Sequence, residues 1–307
     1  MSPLRQALAD YLAVRRSLGY KLAYPEHLLG QFIAYLEDAS AGTVTTAHAL
    51  GWATLPGGDA WWHAQRLSMA RGFAQYLHTT DPAAEVPPAG LIPARAPRAT
   101  PYLYSAGDIT ALIAAAGSLR SPLRAATYQT LIGLLTVTGM RVGEAIRLDR
   151  ADFGPAAGVL TIRDSKFGKS RLVPLHPTTT QAISGYLRLR GRLHPGPSDP
   201  AVFISPAGTR LIYCNVHATW RKLVRTAGLQ ARSPHCRPRP HDLRHSFAVA
   251  SLLDAYAAGQ DGEATLALLS TYLGHTNPAH TYWYLSAAPE LMTLAGHKLE
   301  HHLASRP

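Results

Sequence analysis

Leu273-Gly274-His275-Thr276-Asn277-Pro278-Ala279-His280-Thr281-Tyr282-Trp283-Tyr284-Leu285 is the stretch from which the rest of the chain becomes readable. Asn277 followed by Pro278 predicts a helix start. Asparagine caps the first turn, and proline at the first helical position loses no hydrogen bond. His275 then falls in the turn before that helix, and Tyr284 lies about two turns inside it. At about 100° per residue, Tyr284 shares a face with His280 and Thr281, while Tyr282 points elsewhere. A phenol and an imidazole can thus be held near one another across a capped helix start. The same spacing also suits a core tyrosine and a histidine that merely fills a turn.

Working outward, Arg237-Pro238-Arg239-Pro240-His241-Asp242-Leu243-Arg244-His245-Ser246-Phe247 opens a helix expected to run through Leu253. Pro240 precedes it and Asp242 sits in the first turn, where the helix dipole favours an acid. His241 and Arg244 share a face at i,i+3. His241 and His245 at i,i+4, with an acid beside the first, also suggest a zinc-hydrolase helix. That acid is an aspartate, one methylene short of the usual base, and no third ligand follows.

Further back, Ser105 and Asp108 form an acidic capping box ahead of Ile109, Leu112 and Ile113. A buried helix is expected over Ala125–Val137, ending at Thr138-Gly139. A short helix over Met140–Leu148 follows, with Arg141 and Glu144 as i,i+3 neighbours. The alternating runs Val159–Arg163 and Arg171–Leu175 predict a β-hairpin whose turn, Asp164–Ser170, carries Lys166 and Lys169. Helices are expected around Thr178–Leu193 and Val216–Ala227, with a short strand at Val202-Phe203-Ile204. The first eighty or so residues read as a helical bundle. Its stripes are Leu4, Leu8, Tyr11, Leu12, Val14 and Leu18, then Leu28 to Leu36 from Pro25, then Trp61 to Leu77. Arg15, Arg16, Lys21, Arg66 and Arg71 are expected on its polar faces. Asp81–Pro101 is rich in proline and alanine, cannot be a helix interior, and reads as a linker.

The expected organisation is therefore mainly α with a small β-hairpin or sheet. Residues 1–82 form an N-terminal helical domain, 83–104 a linker, and 105–307 a mixed α/β domain. The 307 residues carry a net charge of +11. Residues 1–100 hold 8 Lys/Arg against 7 Asp/Glu, while residues 101–307 hold 22 against 12, so the excess lies almost wholly in the second part. That suits either a solvated basic surface or a polyanion-binding face. Hydrophobic content of 47% fits a globular protein, and no long apolar run predicts a membrane span. Cys214 and Cys236, without metal-ligand spacing, and an N-terminus without a signal-peptide core point to the cytoplasm.

Arg141, Lys166, His241 with Arg244, then Leu273-Gly274-His275 and Tyr284 nine residues after that histidine, form an ordered set. In this order the set resembles the tyrosine recombinase (phage integrase) family, over about residues 105–290. The N-terminal helices and linker resemble the family's core-binding domain more loosely. The resemblance implies a site-specific recombinase that cuts and rejoins duplex DNA through a 3′-phosphotyrosyl link to Tyr284. Arg141 and Arg244 would clamp the phosphate, a task that suits a planar guanidinium fork. Lys166 would protonate the leaving 5′-oxygen, His241 would assist deprotonation of Tyr284, and His275 would hydrogen-bond the phosphate. Glu144 reads as a structural partner of this cluster. No metal, nucleotide or other cofactor is implied. The implied partners are duplex DNA, other copies of the chain in a DNA-bound tetramer, and an accessory DNA-bending protein or partner recombinase, in a nucleoid-associated setting. Integration or excision of a mobile element, chromosome-dimer resolution, and DNA binding without chemistry remain open as roles. An apolar stripe from Leu291 to Leu303 predicts a last helix, packed either in cis or on a neighbouring subunit.

Overall fold

A computed structural model of the chain describes residues 2–94, 99–163, 170–196 and 199–274. The chain divides into two compact units, Met1–Pro97 and Arg98–Pro307. Among the described residues no helix is long and apolar enough to cross a membrane.

The first unit contains α1 (Pro3–Ser17), α2 (Ala23–Asp38), α3 (Thr46–Ala53) and α4 (Ala60–Leu77). Ser2, Thr45 and Asp59 cap α1, α3 and α4 by accepting main-chain N–H bonds. Leu4, Leu8 and Leu12 turn inward from α1, whereas Val14 and Leu18 are exposed, so the apolar stripe outruns the buried one. Phe32, Ile33, Leu36, Trp52 and Phe73 are the innermost side chains, each contributing about 1.5–3 kcal/mol by burial. Arg66, expected on a polar face, is instead buried with its guanidinium 4.2 Å from the centre of the Trp52 ring. Burial lowers its pKa, and the cation–π contact offsets part of that cost. Ala84 belongs to the core of this unit, whereas Tyr102 and Tyr104 belong to the core of the second.

The second unit is built on α6 (Pro122–Thr138), which packs against α5 (Ala106–Gly117), α8 (Pro177–Leu193) and α10 (Asp242–Ala257). The capping box of α5 forms as expected. Ser105 Oγ accepts from the Asp108 N–H and Asp108 Oδ2 accepts from the Ser105 N–H. The short α7 (Val142–Arg147) follows α6. A three-stranded antiparallel sheet of β1 (Phe153–Gly154), β2 (Val159–Ile162) and β3 (Arg171–Pro174) comes next. The expected hairpin pairs Ile162 with Arg171 and Val159 with Pro174, and β1 adds a strand that the alternation did not signal. Leu160, Ile162 and Val173 face the core.

Val202-Phe203-Ile204 forms no strand. It is an almost fully buried apolar run held by single bridges, Asp149 with Ala201 and Ile204 with Arg210. α9 (Tyr213–Thr226) precedes α10. A further helix, α11 (Gly262–Leu273), packs on α10 through Leu252, Leu266, Leu269 and Leu273. It closes at Gly274, whose φ of +68° is in the left-handed region that glycine adopts without strain.

Candidate active site

Three segment ends converge in the second unit: the turn from α6 into α7, the start of α10, and the end of α11. α6 ends at Gly139, with φ +57°. A Cβ there would lie 2.4 Å from the Phe247 ring, so both the backbone conformation and the packing of α10 require glycine. Arg141 is then the N-cap residue of α7. Its main-chain N–H donates to Glu144 Oε2 at 2.9 Å and its Nη1 to Glu144 Oε1 at 2.8 Å. The expected i,i+3 pair is thus also the cap of the helix.

Glu144 is 3% exposed and is held by a second arginine as well. Arg171, the first residue of β3, donates Nη1 to Oε1 at 3.1 Å and Nη2 to Oε2 at 2.9 Å. Burial works against the charge of Glu144. The bonds from Arg171 and Arg141 outweigh it and hold the carboxyl at about 2, well below the usual range. From the sequence Arg171 reads only as a strand residue. Its inward side was legible from the alternation with Val173, but its partner, 27 positions away in sequence, was not.

α10 starts where expected. His241 stands at its N-cap position, and Asp242 is fully buried against Arg239. Arg239 donates Nε to Asp242 Oδ2 at 3.0 Å and Nη2 to Oδ1 at 2.7 Å. Tyr104 donates its hydroxyl to the Arg239 carbonyl and its N–H to Ser246 Oγ, tying the chain before α5 to this helix start. Asp242 therefore faces Arg239 as the partner of its carboxylate. Among the described residues no three His, Cys, Asp or Glu side chains gather as a metal site would need.

Arg244 is 1% exposed and bridges two segments. Its Nη1 donates to the Gly139 carbonyl at 2.9 Å and its Nη2 to the Leu273 carbonyl at 2.7 Å. The end of α6 and the end of α11 are thereby joined through α10. Leu273 lies two positions before His275. The His241 ring sits edge-on to His245 with centroids 4.9 Å apart. Burial of the His241 ring, then the charges of Arg244, Arg141 and Arg239, lower its proton affinity to about 4. Since the residue keeps open surface to solvent, the three guanidiniums are the firmer part of that effect. His241 is neutral at pH 7, which is the form that can accept a proton.

Of the candidate residues, Arg141, His241 and Arg244 are brought together here. Lys166, His275 and Tyr284 lie outside the described residues, as do the expected helix start at Asn277-Pro278, the second phenol Tyr282 and the last helix from Leu291. What the described part offers is a cluster of guanidiniums beside a neutral imidazole, an arrangement suited to holding a phosphate.

Residues 105–290 match the phage integrase family, the same span over which the sequence motifs run. A Sinorhizobium fredii protein, y4rB, named provisionally as an integrase/recombinase, is 45% identical over the whole of both chains. The tyrosine recombinase XerC of Azotobacter vinelandii is 32% identical over 72% of this chain and 68% of its own length. The structure of the Tn1549 transposon integrase in complex with transposon right end DNA superposes with a TM-score of 0.64. It covers 98% of this chain and 99% of that one at 16% identity. The chain belongs to the phage integrase family, the tyrosine recombinases.

Proposed function

We propose that this protein cuts and rejoins duplex DNA at a specific site through a covalent 3′-phosphotyrosyl intermediate on Tyr284. The observation that carries this reading is the meeting of Arg141, Arg244 and His241 at the junction of α6, α10 and α11. Arg141 and Arg244 neutralise the non-bridging oxygens of the scissile phosphate. Positive charge fixed before the reaction stabilises the charge that develops in its transition state. Tyr284 attacks phosphorus and the 5′-oxygen departs, taking a proton from Lys166. Neutral His241 assists removal of the Tyr284 proton, and His275 hydrogen-bonds the phosphate. The phosphotyrosyl ester conserves the bond, so a 5′-hydroxyl can displace Tyr284 without nucleotide hydrolysis. The guanidiniums take the part that a divalent ion plays in other phosphoryl transfers.

Residues 1–82 and the basic second unit are each proposed to bind the DNA, with residues 83–104 as the linker. The Tn1549 integrase, solved with transposon right end DNA, supports duplex DNA as the partner. The working assembly is proposed to be a tetramer on paired sites, in the cytoplasm and associated with the nucleoid. The full-length match to an integrase/recombinase favours integration or excision of a mobile element over chromosome-dimer resolution.

The test is a labelled suicide substrate built from the flanks of the encoding gene, run on a denaturing gel in EDTA without nucleotide. A covalent adduct that maps to Tyr284 and disappears with Tyr284→Phe is the expected result. An adduct that survives this change and maps to Tyr282 overturns the choice of nucleophile. Activity that requires added zinc overturns the metal-free chemistry.

A further inference from the structure

We propose that Arg171 is a positioning residue for Arg141, acting through Glu144, and that it also seats the turn leading to His275. This rests on the reading of Arg141 as a phosphate clamp.

Each oxygen of the Glu144 carboxylate accepts one bond from each arginine. Oε1 takes Arg141 Nη1 and Arg171 Nη1, and Oε2 takes the Arg141 main-chain N–H and Arg171 Nη2. With all four bonds made, the carboxylate cannot rotate about its own axis without breaking two of them. Its plane is set by Arg171, because that fork is bidentate and the residue is fixed by the pairing of β3 with β2 at Ile162. The plane of the carboxylate in turn fixes the direction in which Arg141 leaves the cap of α7.

The charge arrangement says the same. One carboxylate needs only one guanidinium for neutrality, and two on a single acid repel one another. The side chain of Arg171 is 14% exposed and that of Arg141 is 26% exposed, so the inner arginine satisfies Glu144 and the outer one faces the opening. Among the described residues the buried Arg171 Nε has no hydrogen-bond partner, and the fork to Glu144 is what holds this side chain. Its other neighbour is Gly274, where an added Cβ would stand 3.0 Å from Arg171 Nη1. Arg171 therefore lines the turn that leads directly to His275, while Arg244 holds the Leu273 carbonyl beside it. Arg171 also opens the strand that follows residues 164–169 in the chain, the segment that carries Lys166.

The experiment compares the wild type, Arg171→Lys, Arg141→Lys and the double variant in single-turnover cleavage of the suicide substrate. DNA affinity and thermal melting are recorded on the same samples. Lysine keeps the charge and loses the fork. Arg171→Lys should fold, bind DNA within about twofold of the wild type, and cleave on the order of tenfold to a hundredfold more slowly. The double variant should be no slower than the slower single, because both changes break one arrangement. Full-rate cleavage by Arg171→Lys, or effects that multiply in the double variant, would overturn the proposal. A wild type that forms no adduct would sink the phosphate-clamp reading instead. Arg171 is then judged on the guanidinium proton resonances of Arg141, which should be sharp in the wild type and exchange-broadened in Arg171→Lys. Unchanged resonances overturn the positioning role. Should Arg171→Lys fail to fold, Arg171→Gln takes its place in both measurements. Loss of the fold in both variants would make Arg171 a core staple and also overturn the proposal.

Discussion

Arg190 and Arg244 are the same device in two places. Each is 1% exposed, and each donates to two main-chain carbonyls, Arg190 to Asp199 and Ala201, Arg244 to Gly139 and Leu273. Their surroundings differ. Beside Arg190 stand a second cation, Arg150, and Asp199, which Arg210 pairs together with Asp149. Beside Arg244, three arginines, Arg141, Arg171 and Arg239, hold two acids, Glu144 and Asp242. The first region sets three arginines against two acids and the second sets four against two, so the second carries the larger positive excess. A buried arginine is thus not itself the mark of a site. The mark is the missing anion around it, which a phosphate diester would supply.

Four substitutions put that contrast at risk. The largest effect is expected from Arg244→Met, which should lower single-turnover cleavage roughly 10³-fold, the scale on which a charge-stabilising arginine acts. Arg190→Met should reduce stability yet leave cleavage per folded molecule unchanged. Equal loss in both would erase the distinction between the two regions.

Next comes Glu144→Gln, which leaves Arg141 and Arg171 facing a neutral amide. The folded carboxyl titrates at about 2 against an ordinary value of 4.5, which corresponds to about 3 kcal/mol at neutral pH. Because the folded value is depressed, this contribution is present above about 4.5 and is lost as pH falls toward about 2. Urea unfolding of wild type and variant should therefore show a stability gap that closes across that window. A gap that persists at the acid end would refute the ion-pair origin.

The third concerns His241, whose proton affinity lies near 4. The pH profile of cleavage should be flat from about 6 to 8 and fall about tenfold per unit only below about 4. A midpoint near 6.5 would mean that the cation cluster does not act on the ring. The smallest effect is expected from Arg163→Ala. Its side chain is 64% exposed, and its pair with Asp152 should be worth less than about 1 kcal/mol in a melting experiment.

What could be read from the sequence was whatever is written within a few residues. The Ser105–Asp108 box, the Arg141–Glu144 pair and the start of α10 depend on i,i+3 spacing, and the hairpin depends on alternation. Other features, besides β1 and the buried Arg66, are not written at that range. α3 is eight residues long and α11 twelve, and neither is signalled by its apolar positions, although Thr45 and Asp261 cap them by side chain. Val202–Ile204 reads as a strand because a continuous apolar run bounded by turns is what a buried strand looks like, yet its backbone is taken up by separate bridges. Arg171 and the carbonyls of Gly139 and Leu273 entered the site only through tertiary contact. Local spacing names the arginines of such a cluster and is silent on what holds them.

The grip of Arg244 on the Leu273 carbonyl, with Arg171 against Gly274, turns the close of α11 into a fixed post. Tyr284 lies ten positions further along the chain. Alanine at Gly274 would meet both a φ of +68° and the Arg171 fork. Its cost would therefore fall on the close of α11 and on the Arg171 fork that stands against it.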